Sequence, residues 1–232
     1  KSTSSIDFRR RTQLMLFSAL ASMDGWNTGF VPWAPDVDAA DAAMFARLAA
    51  ERARLETFLL TAYYSQSTNG LPVARSLVVD YNDTTCFSIK DQFLLGDGLM
   101  VAPASDPTSN STPAATSRLV YFPLGDNWTD YWQHADYDSY SSTDVSARTK
   151  GVVYVGGTTA NITLDNDLVP IFQRQRSIVP LVYHEQQSQH ADLLSSVLTL
   201  RLSSTANRQS SLVYDDDGIT TRDVTHSEKF VM

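Results

Sequence analysis

The sequence predicts an α/β segment followed by an all-β segment. Three observations predict it. A long helical repeat of apolar residues lies between about Asp38 and Gln66. A strand-like stretch from Val73 to Tyr81 holds the contiguous apolar residues Leu77, Val78 and Val79. After Ala104, short β-like runs recur, separated by turn residues.

The elements follow in order. Ile6 to Leu20 carries apolar positions at Phe8, Leu14, Leu16, Phe17 and Leu20, a helix running into a strand. Met23 to Pro35 is a loop, because Gly25, Asn27, Gly29, Pro32 and Pro35 break any period. The helix from Asp38 to Gln66 places Met44, Phe45, Leu48, Leu55, Phe58, Leu59, Ala62 and Tyr63 on one face. Asp38 and Asp41 suit the partial positive charge of its first turn, Asn69-Gly70 stops it, and Pro72 prevents its resumption. Val73 to Tyr81 reads as a strand. Its contiguous Leu77, Val78 and Val79 imply a parallel sheet covered on both faces.

Ser105 to Ser117, rich in Ser, Thr and Pro, is a surface loop or linker. The β-like runs are Leu119 to Phe122, Trp128 to Trp132, Gly151 to Val155, Ala160 to Leu164, Val169 to Gln173, Ser177 to Val182, Val197 to Leu202 and Ser211 to Tyr214. Their spacing is that of an antiparallel sandwich. The polar stretch Tyr183 to Gln189 reads as a link between two sandwiches.

The chain has 232 residues, 43% of them hydrophobic, so a sizeable core can be buried. Its net charge of −8 argues against non-specific binding to nucleic acid or an anionic membrane, which favours a basic face. No apolar run reaches the roughly 18 residues of a spanning helix. Lys1 to Arg11 is too polar for a signal peptide, so the signal of a secreted protein is expected outside this chain. Cys86 stands alone, which excludes an internal disulfide and a thiolate metal cluster. It reads as a buried free thiol; the other reading pairs it with a cysteine outside the chain.

Four N-x-[ST] sequons, at Asn82, Asn110, Asn127 and Asn161, point to the secretory pathway, and at least two are expected to carry sugar. No self-contained catalytic motif is present. The histidines, His134, His184, His190 and His226, lack metal-ligand spacing, so neither a metal nor another cofactor is expected. Asp215-Asp216-Asp217-Gly218 lacks the alternating ligands and distal Glu of a calcium loop and reads as an acidic turn. Two features could hold a sugar. Asp24-Gly25-Trp26-Asn27, with Trp33 nearby, joins an acid, two flat rings and an amide; it is either a sugar-binding loop or a packed turn with polar tips. Trp128 and Trp132 fall on one face if the strand alternates, as sandwich core or as a sugar platform.

Seven segments in order resemble the C-terminal half of glycoside hydrolase family 31, the α-glucosidase and α-xylosidase family. Arg10 to Ser18 is similar to its R-W-x-Q-x-x-A-F-x, and Pro32-Trp33 to its P-W pair. Leu59 to Tyr64 with Gly70 to Leu77 is similar to L-x-P-Y-x-Y…G-x-P-V-x-R-P-L. Asp91 to Pro103 is similar to D-Q-F-L-L-G-x-x-L-L-V-A-P. Val120 to Asp130 is similar to V-Y-L-P-x-G-x-W-x-D, Val169 to Pro180 to I-P-x-F-x-R-G-G-S-I-I-P, and Leu212 to Gly218 to L-Y-x-D-D-G.

The resemblance implies three parts: 1–103, the C-terminal part of a (β/α)8 catalytic barrel; 104–185, a proximal β-sandwich; and 186–232, the start of a distal one. It implies a retaining α-glycosidase acting on α-linked glucosides. The family's catalytic aspartates lie in W-x-D-M and G-D-N motifs that this chain lacks, so an upstream barrel segment is the expected partner and an oligosaccharide or glycan the expected ligand. Asp24, Trp26 and Asn27 are the implied substrate-binding residues, with Asp24 standing where the family usually has a histidine. Ser76 and the Gln175-Arg176 pair also depart from the pattern. The alternative is a non-catalytic structural or carbohydrate-binding glycoprotein component that keeps the fold.

Overall fold

The computed structural model describes residues 5–23, 31–34, 37–104, 116–133, 152–183, 197–203, 210–214 and 227–231. Among these, three α-helices precede a run of short β-strands.

Helix α1 spans Ser5–Leu16 and buries Phe8, Thr12, Gln13 and Leu16. No strand follows among residues 17–23, which run as turns and bends, so the helix-into-strand reading is corrected to helix alone. The predicted long helix is two helices, α2 at Ala39–Arg54 and α3 at Glu56–Asn69. Asp38 caps α2, its carboxylate accepting the Ala40 N–H at 2.8 Å. Leu55 is the joint. Its N–H is shared between the carbonyls of Glu51 and Arg52, a tightened last turn, while its side chain stays in the core. The apolar spacing therefore ran unbroken through a change of helix. Gly70, in the left-handed region at φ 78°, ends α3.

Six short strands form one sheet in the order β1-β2-β3-β8-β5-β6. They are β1 (Ala74–Ser76), β2 (Phe93–Leu95), β3 (Leu99–Val101), β8 (Ile171–Arg174), β5 (Trp128–Asp130) and β6 (Val153–Tyr154). Every ladder in it is antiparallel. The parallel sheet expected at Val73 to Tyr81 is thus corrected. In β2 and β3 the contiguous apolar residues arise because both faces are covered, whatever the strand direction. Leu95, Leu99, Val101 and Ile171 face a core shared with α1, α2 and α3. Leu94, Met100 and Phe172, alternating with them, face a second core. That core is closed by β4 (Ser117–Phe122) paired with β7 (Thr158–Thr163), through Val120, Phe122, Ala160 and Ile162.

Only three residues of the predicted Val73–Tyr81 strand are strand. Leu77–Val79 wind into a 3-10 turn. Residues five apart in a strand lie roughly 16 Å apart. The turn instead lets Arg75 grip Asp80 at 2.7 and 2.8 Å. Each of the eight runs predicted after Ala104 contains a strand, although β5 stops at Asp130 and Tyr131–Gln133 wind into a 3-10 turn. The remaining ones are β9 (Ile178–Tyr183) paired with β10 (Val197–Leu202), and β11 (Ser210–Tyr214) paired with β12 (Ser227–Val231). The shared face of Trp128 and Trp132 is corrected. Asp130 ends β5 by accepting the Trp132 N–H at 2.8 Å, and the following turn sends Trp132 to the first core while Trp128 stays in the second. Both rings are core, not platform. Strands β1–β3, ahead of the expected boundary at residue 103, join β5, β6 and β8 through the β3–β8 ladder.

Cys86 is a free thiol, fully buried in the second core. That burial favours the buried-thiol reading over pairing with a cysteine outside the chain. Burial, aided by the nearby Asp83 charge, pushes its pKa up to about 11.

Gly96 turns β2 into β3 at φ 55°, and a Cβ there would sit 2.6 Å from the Phe58 ring of α3. Gly96→Ala combines overpacking with a left-handed backbone. It is expected to lower unfolding stability by about 2–4 kcal/mol in urea titration.

Candidate functional site

Asp24, Trp26 and Asn27 lie outside the described residues, but the chain leading to them is held firmly. Arg52, in the last turn of α2, donates to the carbonyls of Leu16 and Ser18 at 2.7 Å and of Ala19 at 2.9 Å. Tyr63 of α3 donates to Ala19 O at 2.7 Å. One guanidinium thus fixes three consecutive-turn carbonyls that would otherwise need water. Burial lowers the Arg52 pKa, an effect that Tyr63 partly opposes. Beside this anchor runs an open groove of about 500 Å³, lined chiefly by Leu16, Ala21, Ala49, Leu59 and Tyr63. Beyond residue 30, the chain turns at Val31–Ala34, and Trp33 is exposed. Nothing in the hydrophobic periodicity marked Arg52; a cation at a helix C-terminus satisfies the dipole and gave no sign of its longer reach.

A second cluster gathers charges from four separate motifs. Arg75 of β1 binds Asp80 through two nitrogens and Asp97 through Nη2 at 3.0 Å. Arg174 of β8 reaches the same Asp80 at 3.0 Å and lies over the rings of Tyr81 and Trp128. Tyr81 donates to Asp126 at 2.9 Å, and Arg176 lies 3.6 Å from Asp126. Burial alone would raise the Asp80 pKa, but the bonds from Arg75 and Arg174 outweigh it and hold the carboxyl below its usual range. Burial likewise opposes the Arg75 charge, and Asp80 and Asp97 overcome it, raising its pKa. Burial, together with the Asp126 carboxylate, raises the Tyr81 pKa.

This cluster pairs charges; it does not present the protonated acid and free nucleophile that glycoside hydrolysis requires. Next to it, between α3 and the β8–β9 turn, lies a cavity of about 240 Å³ lined in part by Ser65, Asp97, Arg176 and Ser177. Arg176 holds φ 65° where the family pattern has glycine. Among the described residues no group of His, Cys, Asp and Glu could hold a metal, and no helix is long and apolar enough to cross a membrane. The four histidines and Asp215–Gly218 lie outside the described residues.

Of the sequon asparagines, Asn82 and Asn161 are exposed, Asn127 is half-buried, and Asn110 lies outside the described residues.

Comparison with known proteins supplies the class first: the relatives are glycoside hydrolases. Residues 70–179 match the sequence model of the glycosyl hydrolase family 31 C-terminal domain. Alpha-glucosidase 2 of Bacillus thermoamyloliquefaciens is 29% identical over 163 residues, covering 70% of this chain and 17% of that protein. Neutral alpha-glucosidase AB of Sus scrofa is 30% identical over 171 residues, covering 72% and 16%. The chain therefore spans about a sixth of the length of these curated relatives. The Flavobacterium johnsoniae family 31 dextranase solved with isomaltotriose shares the fold, with TM-score 0.73 and 22% identity over 92% of this chain and 24% of that one. Over residues 70–179 the chain is thus similar to the C-terminal domain of glycosyl hydrolase family 31.

Two outcomes are expected. Because the folded Asp80 binds its proton less readily than the unfolded one, stability from this carboxylate is present above about pH 4 and lost as pH falls through its lowered pKa. Asp80→Asn should start lower at neutral pH by about 3 kcal/mol, since Arg75 and Arg174 lose their shared partner, and should lose less on acidification. Urea titrations across the acid range check both. Arg52→Met removes the donor to the carbonyls of Leu16 and Ser18, and leaves that of Ala19 to Tyr63 alone, and should cost about 2–3 kcal/mol in the same assay.

Proposed function

We propose that this chain is the C-terminal portion of a retaining α-glycosidase acting on α-linked glucosides, with its catalytic aspartates on a barrel segment outside residues 1–232. The observation that carries this reading is the match to the family 31 domain at residues 70–179, together with α-glucosidase relatives about six times as long as the matched region. In this reading residues 1–103 complete a (β/α)8 barrel, residues 104–185 form the proximal β-sandwich and residues 186–232 begin the distal one. The protein works in the secretory pathway, with the upstream barrel segment and an oligosaccharide as its partners.

The chemistry assigned to the whole protein is double displacement. One carboxylate attacks the anomeric carbon while a second protonates the leaving oxygen; water then releases the sugar with inverted roles. This chain's part is to shape a sugar subsite. Asp24 accepts from a sugar hydroxyl, Asn27 both donates and accepts, and Trp26 stacks on the apolar face of the ring. Exposed Trp33 and the Arg52 anchor, on either side of the loop in sequence, support that assignment.

Asp24→Ala in the full-length protein should lower kcat/KM roughly ten- to a hundred-fold, the loss of one charged hydrogen bond to a sugar hydroxyl, with unfolding stability unchanged. Steady-state kinetics on an α-glucoside and thermal unfolding read the two quantities. Large destabilisation with unchanged activity per folded molecule would make the loop a packed turn. A full-length sequence without the two aspartate motifs would support the non-catalytic reading.

A further inference from the structure

The four sequons are not equivalent once folded. Asparagine-linked glycosylation uses the Asn amide and the hydroxyl two residues on, so both must be open in a form that survives folding. On β7, Asn161 and Thr163 are two residues apart and point to the same face. Both are exposed, while the intervening Ile162 packs into the second core. Directly across the ladder from Asn161 stands Leu119 of β4, 67% exposed. Among the described residues β4 and β7 pair only with each other, so this small sheet has an apolar side chain on its outer face and open backbone edges.

Asn127 is in the opposite situation. Its Oδ1 accepts the Gly156 N–H at 3.2 Å, and its neighbour Trp128 is fully buried. The Thr129 hydroxyl is 3.1 Å from that of Ser203. The loop against which Asn127 rests is so tight that a single Cβ on Gly156 would come within 2.3 Å of Asp126 O. This packing holds the Asn127 amide against the fold, whereas the Asn161 amide stands on an open face. Asn82 is exposed, but its sequon winds into the 3-10 turn that Asp83 caps at Thr85 N.

We propose that Asn161 is an N-glycosylation site, and that its oligosaccharide covers Leu119 and the outer face of the β4–β7 ladder, while Asn127 stays bare. The inference rests on the secretory-pathway reading above. In the transfer, Asn161 Nδ2 attacks C1 of a lipid-diphosphate-linked oligosaccharide. The new N–C1 bond replaces the C1–O bond, the lipid diphosphate leaves with the bonding pair, and Nδ2 gives up one proton. The glycan's first sugars then lie over Leu119, shielding the exposed side chain and edge.

Glycopeptide mass spectrometry of the full-length protein from its own source, before and after enzymatic release of N-glycans, tests the proposal. The peptide holding Asn161 should be modified in most molecules and the peptide holding Asn127 in none. Asn161→Gln and Thr163→Ala should each remove the mass of one glycan, and Thr163→Ser should keep it. The two glycan-free variants should aggregate at lower concentration, and adding Leu119→Lys should restore solubility. Asn161 bare beside an occupied Asn82 or Asn110 would overturn this assignment alone. A glycan on Asn127 would overturn the argument from packing. All four bare would overturn both the assignment and the secretory-pathway reading beneath it. Glycan-free variants as soluble as the parent would overturn the shielding role.

Discussion

The Arg75 guanidinium is the constraint on which the β-rich part of the molecule depends. Its side chain is only 3% exposed, so its charge must be matched inside the fold. Asp80 matches it edge to edge, and that pairing forces the chain to turn at Leu77–Val79. The same carboxylate then engages Arg174, three strands along from β1 in the sheet order, and Arg174 is wedged over Tyr81 and Trp128. One buried cation thereby sets where β1 stops, where β8 lies and how the second core closes. Removing one partner from such a set strands a charge, which costs far more than the pairs contribute.

The helical layer is bolted to the sheet in the same way. Arg9 of α1 and Arg47 of α2 converge on Asp167, just ahead of β8, and Arg9 also holds Asp41. Nearby, Tyr131 donates to Glu51, which pairs with Arg54, while the Arg201 guanidinium covers the Tyr131 ring at 4.1 Å and donates to its carbonyl at 3.1 Å. These are long-range, directional bonds within otherwise apolar contacts. They give a packed interface a single alignment, a task that apolar surface alone performs poorly.

Elements with a strong period were legible in the sequence. The α2–α3 stretch, its cap at Asp38 and its stop at Gly70 follow from spacing and from residue chemistry. So do the strands from β4 to β11. What escaped was set by distant partners. The joint at Leu55 and the turn after Ser76 carry no local breaker; each is imposed by what the neighbouring side chains must reach. Strand direction was misread at Val73 because the contiguous Leu77, Val78 and Val79 that implied a parallel sheet form a 3-10 turn instead of strand. For the site, composition pointed to the acid, amide and rings at residues 24–27, but the Arg52 anchor of the chain ahead of them depends on three carbonyl oxygens, which leave no trace in side-chain patterns. The charged motif residues Arg75, Asp97 and Arg174 come from segments far apart in the chain, and their convergence into a structural joint was not legible in any one motif.

The sealed thiol gives the molecule a reporter of its own motions. Cys86 sits inside the 3-10 turn Thr84–Ser88, under the roof made by β4 and β7, and it is the sole sulfhydryl in the sequence. At neutral pH a group that ionises near 11 is almost wholly protonated, and an alkylating reagent cannot reach it while the roof is closed. Its modification rate therefore counts the openings of that roof, one region at a time and without any introduced label. The β4–β7 layer carries its own clock.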